Sequence, residues 1–356
     1  MQNVGTPRFY VSVLQWLAYI GKLEHEDGYE PTELTGKHSY DLVYIDPTEQ
    51  LSWTPASDTS EQLNLLYWRV NSGNFSDYMP TNNNFHMVLG HNFGDTSSDT
   101  PFKYDIRNSG TGSGGETVAA NDIVNFSIEN NGFSIAIGND ADDLSTNRIA
   151  FRVEGNTYSY GETYKMGSFL YGTFYDMPHS PDLNLTIGYE MDGVKKIRTK
   201  AGNDLINYQY LRPPKWGDRA AWEMNSTDHQ LARTGRRFWD LSFTMIENSD
   251  IFSELSNIYD YTGIQNWSGE YQYTNLLKGN SFYSQVINKT CGGILPFVFQ
   301  PKGGAVLEGD PAEVNLKSSN NNPDQFAICK LDMDSIKLKQ SANGVYDFSI
   351  RVKEVW

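Results

Sequence analysis

The sequence predicts a mainly β protein, and three observations carry that prediction. Tyr, Phe and Trp number 22, 18 and 8 beside 31 glycines, the balance of half-buried strands joined by many turns. From Leu63 onward, apolar stretches of about five to eight residues alternate with Gly, Asn or Asp turn signals. Helical periodicity is almost absent from the same region, which favours a β-sandwich. No repeat of about 20 to 50 residues is visible, so a propeller or solenoid is not expected.

A chain of 356 residues exceeds a typical single core and suggests about two domains. Segment 1–60 is read as an N-terminal arm, whose run "RFYVSVLQWLAYIGKL" is a short strand or helix entering the fold. Segment 61–218 is read as a β-sandwich, with strands in "LNLLYWRV", "FHMVLGHNF", "FKYDI", "IVNFSI", "FSIAIG", "RIAFRVEG" and "TYSYGETYKMGSFLYGTFYDM". Its end is placed near "RPPKWGD", residues 212–218. In segment 219–356, "TGRRFWDLSF" alternates so that Trp239, Leu241 and Phe243 share a face. A short helix follows in "ENSDIFSELSNI", with Asn248 or Ser249 as N-cap. A second helix in "NSFYSQVINKT" stops at Gly292-Gly293, and "ILPFVFQP" resumes extended structure. At the C-terminus, "SIKLKQSA" and "VYDFSIRVKEVW" flank Asn343-Gly344, which predicts a hairpin with a two-residue type I′ turn.

The formal charge is −16 and the pI about 4.8. Such a chain repels phosphate backbones and anionic membrane surfaces, and no Lys/Arg cluster is read as breaking that pattern, so neither nucleic acid nor membrane is expected as a partner. The apolar N-terminal run lacks a basic flank and a small-residue cleavage site, and no run approaches about eighteen apolar residues, which points to a soluble chain made in a cytoplasm. Cys291 and Cys329 are the two cysteines; they are expected to be core thiols.

The stretch "NFHMVLGHNF", Asn84 to Phe93, carries two histidines. On a strand, His86 sides with Val88 and His91 with Phe85, Met87 and Leu89, so a shared metal is not expected. "GTGSGG", Gly110 to Gly115, lacks the Lys-Ser/Thr of a phosphate loop and reads as a flexible connection. Asp140, Asp142 and Asp143 are hard oxygen ligands in type, but the glycine and glutamate of a calcium loop are missing, so they read as a solvated turn. No nucleophile elbow, HExxH helix or Cys-His signature occurs, and no carboxylate pair is singled out by spacing. Neither catalysis, metal nor cofactor is expected. His179, between Pro178 and Pro181, reads as a locally bonded turn residue or a contact at the sandwich rim. Arg236 and Arg237 read as intrachain or intersubunit partners for the surplus carboxylates.

From Thr234 onward the order of pieces "RRFWDLSFTMIENSDIFSEL", "LPFVFQP", "FAICKLDMDSIKLKQ" and "VYDFSIRVKEVW" resembles tailed-bacteriophage minor tail and distal tail proteins of the baseplate hub type. "HMVLGHNF" and "KMGSFLYGTFYDMPHSPDLNL" resemble strand-turn units of galactose-binding-like jelly rolls in phage virion proteins. The resemblance implies a jelly-roll β-sandwich over 61–218, then a tail-tube-like β-barrel or sandwich over 219–356 with one or two short helices. It implies a structural virion protein assembled in a host cytoplasm, forming a homo-oligomeric ring, sixfold by analogy, with other tail proteins as partners. His91, Asn92, His179, Arg236, Arg237 and Trp239 are then the candidate subunit or glycan contacts, with Gly90 turning the backbone and His91 and Asn92 bonding loop amides. The alternative is a carbohydrate-binding or glycan-cleaving β-sandwich that recognises a host-surface glycan.

Overall fold

The structure, a computed structural model, describes residues 4–26, 34–55, 63–80, 83–95, 102–107, 123–128, 131–138, 147–153, 161–191, 194–208, 215–216, 219–220, 235–252, 277–303 and 326–355. The glycine run 110–115 and the acidic stretch with Asp140, Asp142 and Asp143 lie outside them. The chain is mainly β and its described strands pair antiparallel.

One sheet of ten strands organises the molecule. Its order is Thr186–Glu190, Arg236–Glu247, Val345–Glu354, Ala327–Leu331, Phe297–Gln300, Arg8–Ser12, Ser168–Asp176, Asn84–Leu89 and Phe133–Gly138, with Leu338–Ala342 pairing beside this path on Val345–Glu354. Segments 1–60, 61–218 and 219–356 therefore do not each keep to a sheet of their own. Arg8–Ser12 pairs with Ser168–Asp176 on one side and Phe297–Gln300 on the other. All five of its residues are buried, a run that needs cover on both faces and neighbours at both edges. Arg8 grips Asp176 through Nε and Nη2 at 2.6 and 2.8 Å, while the Tyr10 hydroxyl donates to Gln300 Oε1 at 2.8 Å. The sheet is thus continuous across residue 218, because strand neighbours are set by pairing and not by sequence order.

The run read as strand or helix is both in succession. Ser12 ends the strand, and its Oγ accepts from Gln15 N at 3.2 Å to cap the helix Val13–Tyr19. Residues Val13 to Ala18 of that helix are all buried. A second sheet, in the order Leu23–Glu26, Leu63–Val70, Arg148–Val153, Phe102–Arg107, Ile123–Ile128, packs on one face of the first. Trp68 of the second sheet stacks on Phe169 of the first, with ring centres 5.1 Å apart and planes 9° apart, and Phe151 meets the same ring edge-on. The opposite face of the main sheet is covered by a second cluster around Phe9, Trp239, Phe282, Phe299 and Phe348.

Three local expectations change. The first short helix is Asn248–Ile251, with Glu247 in the N-cap position in place of Asn248 or Ser249. The second is a π-helical turn, Tyr283–Asn288, which ends at left-handed Cys291, Gly292 and Gly293; only the glycines take that conformation without strain. The C-terminal hairpin turns at Asn343-Gly344 as expected, since Ala342 faces Val345. Its turn is not type I′, which needs positive φ at both central residues: Gly344 has φ 71°, whereas Asn343 is not among the positive-φ residues. The register slips between Gln340 and Ala342, an irregularity of the kind that locally increases the twist of a strand pair. No described helix is long and apolar enough to cross a membrane.

Candidate functional site

Gly90 follows the strand Asn84–Leu89 with φ 68°, and a Cβ there would lie 2.5 Å from the Pro47 carbonyl oxygen. This left-handed residue breaks the alternation. Phe85, Met87 and Leu89 pack into the cluster shared with Phe9, as the pattern predicts. His91 does not join them. Its Nε2 meets Ser134 Oγ at 2.9 Å, and Ser134 stands directly across from Val88, on the other face of the sheet. The two imidazoles therefore leave the sheet on the same side, correcting the expectation that they point opposite ways. The Phe93 amide donates to His91 Nδ1 at 3.3 Å, a network that assigns the ring proton to Nε2. His91 also stacks on Phe93 at 4.7 Å. Burial holds both His86 and His91 down to about 3, so each is a neutral ring at neutral pH. Asn92, half-buried, acts as a substitute strand residue: its Nδ2 donates to Thr163 O at 2.9 Å and its Oδ1 accepts from Lys165 N at 2.7 Å.

Arg237 has its carboxylate partner inside the chain. Its Nη2 and Nε donate to Glu354 Oε1 and Oε2 at 2.9 and 3.1 Å, its backbone N–H to Oε2 at 2.9 Å, and Nη2 also to Phe326 O at 2.7 Å. Both side chains are buried, and the guanidinium sits 5.4 Å from the Trp239 ring centre. Arg236 stands across from Glu190 in the sheet. The Lys353 ammonium, with Arg351 behind it, holds the Glu190 carboxyl below its usual range.

The sequence candidates thus fall into two groups. His91, Arg237 and Trp239 are internal, so none of them faces a subunit or glycan; of the two readings of Arg237, the intrachain carboxylate partner is the one the structure shows. Asn92, His179 and Arg236 remain at the half-buried surface. His179 ties its own loop to the strand Arg236–Glu247, with Nδ1 2.7 Å from Ser180 O and Nε2 3.0 Å from Thr244 O. Beside it an open groove of about 630 Å³ runs over the exposed face of the C-terminal strands, lined in part by Asp182, Ser242, Lys339, Asp347 and Ser349. Asp182 accepts from Thr244 Oγ1, and Asp347 from Met245 N and Ser341 Oγ, so both carboxylates already serve local structure. Phe243 and Phe348 form the groove floor but are buried against each other. Neither offers a ring face on which a sugar could stack.

Two features were not anticipated. Capping the π-helical turn at its C-terminal end, Lys289 is fully buried and donates to Gln285 Oε1 at 2.6 Å, an acceptor shared with the Thr173 hydroxyl at 2.8 Å. Burial lowers its ammonium to about 7. Lys289 sits in the stretch read as a second helix, where a lysine would ordinarily face solvent. The second feature is a two-stranded ribbon, Val194–Arg198 with Asp204–Tyr208, that pairs with no other described strand. It carries Lys195, Lys196, Arg198 and Lys200, a basic cluster that does break the acidic pattern. Four basic residues within six positions were the signal for it. Among the described residues, no group of three or more His, Cys, Asp or Glu is placed to hold a metal ion. Comparison with protein-family models, with curated proteins and with solved structures finds no match to this chain.

Proposed function

We propose that this chain is a structural component of a tailed-bacteriophage virion, a tail or baseplate protein that acts by assembling into a ring. The observation that carries the reading is the pairing of Arg236–Glu247 with Val345–Glu354. These strands hold the first and last pieces of the resemblance, "RRFWDLSF" and "VYDFSIRVKEVW", and the buried Arg237–Glu354 pair clamps them together. A buried ion pair is weak evidence for stability, but this one, bonded also to Phe326 O and the Arg237 amide, holds residues of the two strands against each other. The finer assignment, a galactose-binding-like jelly roll and a tail-tube-like domain, belongs to this proposal, amended so that both share the main sheet.

Contacts between copies fall to exposed strand edges, since Trp239 is internal. Leu338–Ala342 is such an edge: four of its five residues are exposed, and it pairs on one side with Val345–Glu354. A neighbouring strand can add to an edge of this kind. Mass photometry and negative-stain imaging of the full chain test the reading. A closed ring, sixfold by analogy, is expected; a chain that stays monomeric up to the concentrations reached in assembly overturns it.

A further inference from the structure

The ribbon Val194–Arg198/Asp204–Tyr208 leaves the edge of the main sheet just after the strand Thr186–Glu190. Every side chain from 195 to 207 is exposed except Thr199, which is half-buried. Among the described strands the ribbon's two pair only with each other, and both faces of the ribbon are open to solvent. A lone two-stranded ribbon is marginally stable in water, and this one shows solvent an apolar pair, Ile197 across from Leu205, 63 and 60% exposed. Its turn is nonetheless built: Thr199 N donates to Asn203 O at 2.8 Å, Gly202 N to Thr199 O at 2.9 Å, and Gly202 takes φ 85°. The Arg198–Asp204 pair at 3.2 Å ties the strands on the other face.

Charge separates the ribbon from the rest of the molecule. Lys195, Lys196, Arg198 and Lys200 against Asp204 give residues 194–208 a net charge of +3, so the remainder of the chain carries −19 from the total of −16. We propose that this ribbon is an arm that docks on the acidic body of a second copy of the same chain, with Lys195, which shares the face of Ile197 and Leu205, toward carboxylates and that apolar pair covered. Complementarity between a basic arm and an acidic body selects a copy over a phosphate polymer, which the body repels. Arm onto body is a heterologous contact, the kind that closes a ring when its rotation divides the circle. The inference rests on the assembly reading above and names its contact.

The test uses the full chain at 150 mM NaCl. Lys195→Glu, Lys196→Glu and Lys200→Glu are combined, leaving the Arg198–Asp204 pair intact, and Ile197→Ser/Leu205→Ser forms a second variant. Circular dichroism checks that each variant folds. Mass photometry is expected to show the charge variant associating about tenfold more weakly or worse, with the gap to wild type closing near 1 M salt. A mixture of ¹⁴N and ¹⁵N wild-type chains, cross-linked by a zero-length carbodiimide, is expected to join Lys195, Lys196 or Lys200 to carboxylates of the other isotope. This second measurement needs no variant. Wild-type assembly with unchanged association of both variants, or arm cross-links confined to one isotope, overturns the arm and leaves the ring standing. A monomeric wild type overturns both. A gel shift of duplex DNA or single-stranded RNA by wild type, lost in the charge variant while self-association is unchanged, assigns the arm to nucleic acid and also overturns the inference.

Discussion

Acid is expected to unfold this protein through two histidines before its carboxylates matter. His86 and His91 have folded values near 3 because burial disfavours the imidazolium, against an ordinary value of 6.5. The folded value lies below the unfolded one, so between pH 6.5 and 3 the unfolded chain binds more protons. Stability is full above pH 6.5 and is lost as pH falls through that window. At pH 5 each buried histidine costs about 2 kcal/mol and the pair about 4, a sum insensitive to the folded value as long as it stays below pH 5. The perturbation is His86→Leu combined with His91→Asn, the asparagine keeping a donor for Ser134 Oγ and an acceptor for the Phe93 amide. Urea unfolding at pH 7.5 and pH 5.0 then gives the drop for each chain, and the other histidines cancel because both chains carry them. Wild type is expected to lose about 4 kcal/mol more than the variant over this interval. Equal losses, or an imidazole titration near 6.5 for either ring by NMR, would show that these rings are not desolvated and would refute the reasoning.

Other substitutions probe the remaining buried polar groups. Lys289 is lowered from 10.5 to about 7, so the unfolded chain binds more protons between those values. Wild-type stability should then rise by about 2 to 3 kcal/mol from pH 7.5 to 9.5, a rise that urea titrations should not find in Lys289→Met. Glu354→Gln or Arg237→Ala leaves one buried charge without its partner, and calorimetry should register a loss of about 3 to 5 kcal/mol; Arg237→Met with Glu354→Leu should recover part of it. Gly344→Ala meets nothing within 4 Å and strains only its φ of 71°, for about 1 to 2 kcal/mol. Gly90→Ala adds a collision with the Pro47 carbonyl and should cost clearly more in the same chemical-denaturation assay.

Local pattern made much of the fold legible. Alternation placed Trp239, Leu241 and Phe243 on one buried face, and the burial along Arg236–Glu247 follows it residue by residue up to Phe243. There a bulge breaks the register and Met245 turns to φ 60°. Asn343-Gly344 marked the hairpin although the turn type differs. Pairing was not legible, because it joins residues far apart in the chain. Arg8 meets Asp176 across 168 positions, Tyr10 meets Gln300 across 290, and Arg237 meets Glu354 across 117. Nothing in the five residues of the first strand names its neighbours; their uniform burial says only that neighbours exist on both sides.

Three of the candidate contacts, His91, Arg237 and Trp239, proved internal for a related reason. Histidine and arginine in an apolar setting attract attention as chemistry, yet the same groups are what a sheet needs where its ladder is interrupted. Past Gly90 the chain still bonds Gly132 at both Gly90 and His91, then leaves the ladder, and the Phe93 amide is satisfied by His91 Nδ1. At the other end of the sheet, Phe326 O and the Arg237 amide lie beside the last turns of the ladder, and the Arg237–Glu354 pair takes both. A polar group bound this way has little left to offer a partner. Surfaces for assembly arise where the opposite holds, at strands whose edges and faces the chain itself does not fill. Leu338–Ala342 and the 194–208 ribbon meet that condition, and their sequences are ordinary alternations of Lys, Ile, Leu, Gln and Ser. The charge contrast between the ribbon and the rest of the chain is the one sequence signal that distinguishes it. That signal becomes a statement about association only once the structure shows the ribbon's side chains exposed and its strands paired with no other described strand.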